Sequence, residues 1–290
     1  MISLKTLAST ILFPIAFSIC PAQAALFIAA HPDDIALLMH KNAETDVADG
    51  YYTVLILTTA GDASNGAAGL AGNTMKLPYY RARLNSYENY VHFWQGLDPD
   101  VRPPVPQHTT DVILGKKIEA VHMGNVVMYN LNLPDNGSLL PLATGKIASV
   151  TSLSPVNTYT LAQLKDVIRE IIRINFRATP SVNLNTQDPD TAWNPGDHPD
   201  HVATGIIVDG AVRQSAAYSC VNLLFYRGYV VGGYAPTYSP EEIRMHTATI
   251  GVMNAGLIAN GNDSTWDDFH NNFIGKMSFR GVMGSSYCNF

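Results

Sequence analysis

Two short clusters carry most of the chemistry available to this 290-residue chain. The first is His31-Pro32-Asp33-Asp34, which follows the apolar run Leu26-Phe27-Ile28-Ala29 and precedes Ile35-Ala36-Leu37-Leu38-Met39. That order predicts a short buried strand running straight into a helix, with Pro32 at the first helical position, where a missing N–H costs nothing. The partial positive charge of a helix N-terminus favours Asp33 and Asp34 in their ionised, ligand-competent forms. The second cluster is Asp197-His198-Pro199-Asp200-His201, again with a proline placed to start a helix. His198 and His201 are three residues apart, close enough to share one face. Either cluster alone reads more readily as an ordinary capped helix. Together they offer two imidazoles and a carboxylate for a metal ion, with a spare carboxylate and a spare imidazole beside them. Facial His/His/Asp ligation with an open position is a catalytic zinc arrangement in type.

With these residues the sequence resembles the PIG-L/LmbE-like family of zinc-dependent N-acetylglucosamine deacetylases, marked by an Ala-His-Pro-Asp-Asp-Glu turn and a distal His-Pro-Asp-His. Further matching stretches are Thr58-Thr59-Ala60-Gly61-Asp62-Ala63, Tyr79-Tyr80-Arg81-Ala82-Arg83 and Leu131-Asn132-Leu133-Pro134-Asp135-Asn136-Gly137, the last resembling a stretch of secreted members. The resemblance runs in order from residue 26 to about 215. It implies His31, Asp34 and His201 as metal ligands, for zinc or another divalent ion, and Asp33 as general base. It makes His198 the group that steadies the tetrahedral oxyanion or protonates the leaving amine, with Asp200 orienting it. It also places Arg81 or Arg83 near the substrate's sugar or anionic groups, and gives Asp62 a site role that competes with a plain turn aspartate.

The chemistry agrees with that allocation. Amide hydrolysis needs a nucleophile stronger than water, and zinc lowers the pKa of bound water from ~16 to about 7. An adjacent carboxylate that takes the remaining proton contributes roughly 10² to 10⁴ in rate. The amine leaves poorly, so an imidazolium opposite is useful, and Asp200 or Asp197 would favour the charged form of His198. Two positions depart from the family pattern. Ile35 stands in place of a glutamate and Leu84 in place of an acidic residue, so apolar groups replace two carboxylates that would buttress the site.

The elements that must hold these residues read as an α/β chain. Tyr51 to Leu57 is a β-branched and apolar run suited to a central parallel strand, and Val126 to Leu133, Ser181 to Leu184 and Asn222 to Tyr226 are further strands. Helices are predicted over Tyr79 to Trp94, over Thr160 to Phe176 with Leu161, Leu164, Ile168, Ile171 and Ile172 on one side, and from a capping box at Ser239-Pro240-Glu241-Glu242 to about Ile258. Ser264 to Asp267 opens a last one. Residues 98 to 116, rich in proline, read as a loop, as do Gly61 to Asn73 and the long connection from Asn136 to Thr158. The recurring strand, loop and helix predict a Rossmann-like, doubly wound, mostly parallel sheet with helices on both faces and the site at the C-terminal ends of the strands.

Residues 1 to 24 read as a signal peptide, with Lys5 at the start, an apolar core from Leu7 to Ile19 and Ala22-Gln23-Ala24 as the cleavage signal. This predicts a secreted or periplasmic protein whose residues 25–290 form one domain; no stretch is long enough to span a bilayer. A lipoprotein reading through Cys20 is disfavoured by bulky Ile19. The net charge of −6 without any basic stripe argues against nucleic acid and anionic membranes as partners. Cys220 and Cys288 survive cleavage and either bridge in an oxidising compartment or stay as separate buried thiols. The remaining histidines, including His40 and His246, have no paired spacing and read as surface or core. The resulting expectation is an exported deacetylase of N-acetylated amino sugars. An amidase acting on another acyl-amino-sugar conjugate and a metal-containing carbohydrate binder that has lost catalysis are the alternatives, the latter resting on Ile35.

Overall fold

The strand that precedes the first cluster is buried along its whole length, and the sheet is assembled on both sides of it. In the computed structural model, which describes residues 24–64, 77–98, 100, 102–177, 179, 181–285, 288 and 290, the elements are β1 (Ala24–Ala29), α1 (Asp34–Leu38), α2 (His40–Ala48), β2 (Tyr52–Thr59), α3 (Tyr79–Gln95), β3 (Gln107–Ile113), β4 (Lys116–Met123), β5 (Val126–Leu133) and α4 (Leu139–Ala143). There follow β6 (Val150–Thr151), β7 (Thr158–Tyr159), α5 (Leu161–Phe176), β8 (Asn183–Gln187), α6 (Pro199–Arg213), β9 (Asn222–Tyr226), α7 (Pro240–Ala259), α8 (Asp268–Asn271) and β10 (Phe279–Val282). The expected signal peptide, Ala24 apart, and most of the Gly61 to Asn73 loop lie outside the described residues.

Eight strands form one sheet in the order β10-β9-β8-β1-β2-β5-β4-β3. The five central strands, β9 to β5 in that order, are parallel, while β10 at one edge and β4 and β3 at the other are antiparallel. Side chains of a strand alternate between faces, and β1 shows it: Leu26 and Ile28 enter a core with α4, α5 and α6, while Phe27 and Ala29 enter one with α1, α2, α3 and α7. Helices therefore cover both faces, as the sequence predicts. From β1 the chain moves to β2 on one side, and from β8 it moves to β9 on the other. Neighbouring strands whose connections depart in opposite directions leave a crevice at their C-terminal ends. The two clusters follow β1 and β8, so both are delivered to that crevice.

Several local expectations change. The first helix begins at Asp34, two residues after Pro32, and is broken near Met39 before α2 continues. The predicted loop at 98 to 116 contains β3, and β4 and β10 carry no strand signal that the sequence analysis detects. The Asn136 to Thr158 connection holds α4 and the β6–β7 pair. Both capping boxes are formed, Thr160 with Gln163 at α5 and Ser239 with Glu242 at α7. Cys220 and Cys288 form a disulfide that ties the C-terminal tail to the start of β9. No described helix is long and apolar enough to cross a membrane.

Candidate active site

The turn after β1 folds back on itself, because the His31 N–H donates to Asp34 Oδ2 at 2.6 Å. This turns the His31 ring and the Asp34 carboxylate to one side. At the end of β8, α6 starts behind Pro199 with His198 as its N-cap, and brings His201 to the same place. His31 Nδ1 stands 3.2 Å from His201 Nε2, His201 Nε2 stands 2.9 Å from Asp34 Oδ1, and His31 Nδ1 stands 3.3 Å from Asp34 Oδ2. Two imidazole nitrogens and a carboxylate thus converge, all buried. Ligand atoms held by bonds of about 2.0–2.1 Å at tetrahedral angles lie roughly 3.3 Å apart, so these three side chains fit a zinc-sized ion with little movement.

Charge is arranged to match. Burial opposes charge on Asp34, but His201 and His31 hold its carboxyl well below the usual range. Burial likewise opposes charge on the two imidazoles. Asp34 with Asp135 and Asp200 outweighs it at His31, and Asp34 with Asp197 outweighs it at His201, whose pKa is pushed up to about 9. Without a metal the cluster holds protons; a cation can take their place.

Asp197 supports this arrangement from behind. Its Oδ1 accepts from His201 Nδ1 at 2.8 Å, which keeps a proton on Nδ1 and turns Nε2 toward Asp34, the side on which a cation would replace the Nε2 proton. The Tyr229 N–H and the Asn194 side-chain amide hold the same carboxylate in place. Gly228 makes this approach feasible, because a Cβ there would collide with the Asp197 carboxylate. At the end of β8, Gln187 Nε2 donates to Asp34 Oδ2 at 2.8 Å.

Around the three convergent side chains, a pocket of about 100 Å³ is lined by Asp33, Arg83, Asp135 and His198, and by an apolar side of Leu37, Leu38, Tyr229, Phe269 and Phe273. Arg83 pairs with Asp33 Oδ1 and donates to the Gly61 carbonyl at 2.8 Å. Gly61 has φ +61°, and a Cβ there would meet the Arg83 guanidinium and Pro32. The loop after β2 is therefore glycine at the point where it touches the arginine.

The structure divides the remaining predicted residues. Of the two arginines, Arg83 enters the pocket, whereas Arg81 pairs with Glu119 at 2.7 Å in a different cleft. Asp62 is buried and accepts the Asp135 N–H at 2.6 Å, so it positions Asp135 and is not among the side chains lining the pocket. Asp200 does not orient His198 through its side chain. Its backbone N–H donates to His198 Nδ1, while its buried carboxylate stands 3.7 Å from His31 Nε2. The expected upward push on His198 is reversed: burial, then His31 and His201, lower its pKa against the weaker pull of Asp200 and Asp135. Ile35 and Leu84 are packed in the core beneath α1 and α3.

Asp135, Gln187 and Tyr229 are site residues that sequence reasoning missed, and His270, read there with the remaining histidines as surface or core, also lines the pocket. Asp135 Oδ1 lies 3.7 Å from His31 Nε2, and nearby positive charge, His31 first, holds its carboxyl below the usual range against the effect of burial. The one available signal was the Leu133-Pro134-Asp135 stretch, noted for its resemblance but given no role.

No protein-family model and no curated protein matches the chain. Solved structures do. N,N'-diacetylchitobiose deacetylase from Pyrococcus horikoshii is 17% identical, with 91% of this chain and 85% of that one aligned at a TM-score of 0.52. Teicoplanin deacetylase Orf2 in its zinc-inhibited form is 15% identical over 86% of this chain and 90% of that one, at 0.43. The 4-carboxy-2-hydroxymuconate hydratase GalB from Pseudomonas putida KT2440 is 11% identical over 87% and 82%, at 0.46. At these identities the likeness speaks for architecture and leaves the chemistry to the side chains: this chain has the fold of the chitobiose deacetylase.

Proposed function

We propose that the protein is an exported, metal-dependent hydrolase of the PIG-L/LmbE-like type, removing the N-acetyl group from N-acetylglucosamine-type amino sugars. The observation that carries this reading is the convergence of His31 Nδ1, His201 Nε2 and Asp34 within about 3.3 Å at the sheet's crevice, with Asp33 and His198 beside them. His31, Asp34 and His201 would hold the ion, which when bound supplies an activated water and polarises the amide carbonyl. Asp33 takes the proton. Arg83 holds one of its oxygens, which fixes the carboxylate and leaves the other oxygen to accept. His198 accepts at Nδ1 from the Asp200 N–H, so its Nε2 carries the proton in the neutral ring and can donate to the oxyanion or the departing amine. Arg83 and Asp135 present a donor fork and an acceptor suited to sugar hydroxyls. The signal-peptide pattern and the disulfide support export.

A second reading, an amidase for a larger acyl group, is favoured by the apolar side of the pocket formed by Leu37, Leu38, Tyr229, Phe269 and Phe273. One assay addresses both. Amine release is measured from N-acetyl, N-butyryl and N-octanoyl glucosamine oligomers before and after chelation and zinc restoration. Zinc-restored turnover fastest on the acetyl series is the expected result; a preference for longer chains selects the second reading. No metal-restored turnover on any member would refute both.

A further inference from the structure

A second cavity, of about 310 Å³, lies between α3 and the antiparallel end of the sheet. Strand register builds its floor. Thr110 of β3 stands opposite Glu119 of β4, which stands opposite Asn130 of β5; two residues along each strand, His108, Val121 and Met128 form the neighbouring row. Positions two apart on a strand share a face, so both rows face the same way. Over them α3 presents Arg81, Leu84, Asn85 and Glu88, spaced as one helical stripe. Arg83 lies off that stripe and serves the metal pocket, so α3 works on two sides.

The polar groups of this cleft are organised and incompletely used. Glu119 Oε2 accepts from Arg81 and from the Asn132 amide, each at 2.7 Å, and Glu88 faces His108 at 3.4 Å. Asn130 is only 6% exposed, and its Oδ1 is buried without a hydrogen-bond partner. A buried polar atom with no partner is costly, and a ligand hydroxyl would supply the missing donor. The charges nearly cancel, since Glu119 neutralises Arg81. An anion entering would still meet Glu88 and Glu119, and a wholly apolar ligand would leave Asn130 unsatisfied. Leu84, Val121 and Met128 are largely buried in the core, and their edges form the apolar part of the lining beside the polar row. Hydroxyls around a ring whose faces are C–H match that mixture.

From this geometry we infer that the cleft between α3 and strands β3 to β5 is a binding site for an uncharged saccharide ring, separate from the metal pocket. Thr110 and Glu119 contact hydroxyls near the mouth, Asn130 accepts one at the floor, and the edges of Leu84, Val121 and Met128 take the ring's apolar face. The site does not depend on turnover, so its probe is cellotriose, which has no amide to cleave.

The test is a titration of the full chain with cellotriose, followed by calorimetry and by the amide signals of Thr109, Thr110 and the Asn130 side chain. Saturable shifts at these signals, with smaller ones at His31 and His198, are expected. Asn130→Leu removes the unpaired atom at similar volume, so its Tm should equal or exceed that of the wild type while its affinity falls by about tenfold or more. Thr110→Val, at the exposed edge, should weaken binding without affecting folding and serves if Asn130→Leu misfolds. No saturable binding of cellotriose, unchanged affinity in both variants, or tighter binding of glucose 6-phosphate than of glucose would each overturn the assignment.

Discussion

Asp33 and Asp34 are adjacent in sequence and separate in circumstance. Asp34 faces two imidazoles and accepts from Gln187, whereas Asp33 faces the pocket and Arg83. The division predicts distinct losses. Asp33→Asn keeps shape and loses basicity, so bound metal should stay near wild type while turnover falls by about 10² to 10⁴. Asp34→Ala should lose metal and turnover together. Paired metal analysis and amine release on both variants check this, and full turnover in Asp33→Asn would remove Asp33 from the mechanism. The two clusters were legible because each is contiguous, marked by a proline and locally spaced. Asp135, Gln187 and Tyr229 were not, because they reach the crevice from the ends of β5, β8 and β9, and their relation to His31 exists only once the strands are ordered. The direction of the His198 shift was hidden for the same reason: it depends first on burial and then on His31 arriving from the end of β1.

Elements follow the same logic. Those the sequence revealed carry their own signal, such as the β-branched run of β2, the apolar stripe of α5, and the capping boxes of α5 and α7. β3 reads Gln-His-Thr-Thr-Asp-Val-Ile, an exposed edge strand with no apolar alternation and three nearby prolines, so nothing local marks it; pairing with β4 does. One close junction between elements is where the segment after β9 passes the start of α6. There Gly228 lets the Tyr229 N–H reach Asp197, which in turn fixes His201. Gly228→Ala should displace the Asp197 carboxylate and loosen His201 without touching a ligand. Weakening such supporting contacts typically costs 10- to 100-fold in metal affinity. Competition with a chromophoric chelator measures it, and wild-type affinity in Gly228→Ala would show that the Asp197 contact does not support the site.

At the scale of the whole molecule, two histidine pairs pull stability in opposite directions with pH. In the metal-free protein His31 and His201 have raised pKa values, so their contribution is complete below the unfolded value of about 6.5. For His201 it is lost as pH rises through about 9. His40 and His246 behave oppositely. They stack in the core at 4.4 Å between α2 and α7, near Trp94 and Tyr238, with the Lys41–Glu242 pair outside. His246 Nδ1 accepts the Gly275 N–H at 3.1 Å, and Thr249 is 2.9 Å from His40 Nε2. Burial lowers both values, His246 to about 4, and at His40 the neighbouring His246 adds to it. The unfolded chain therefore binds more protons than the folded one between about pH 6.5 and 4. Stability from this pair is present above that window and is lost as pH falls through it, by on the order of 3 kcal/mol for His246. Metal release on acidification also destabilises, so the two effects are separated by a variant. His246→Gln keeps an acceptor for the Gly275 N–H and does not titrate. Urea unfolding of the metal-free protein from pH 7.5 to 4.5 should give a shallower acid fall for His246→Gln than for the wild type, and parallel curves would mean that the buried pair does not set acid stability.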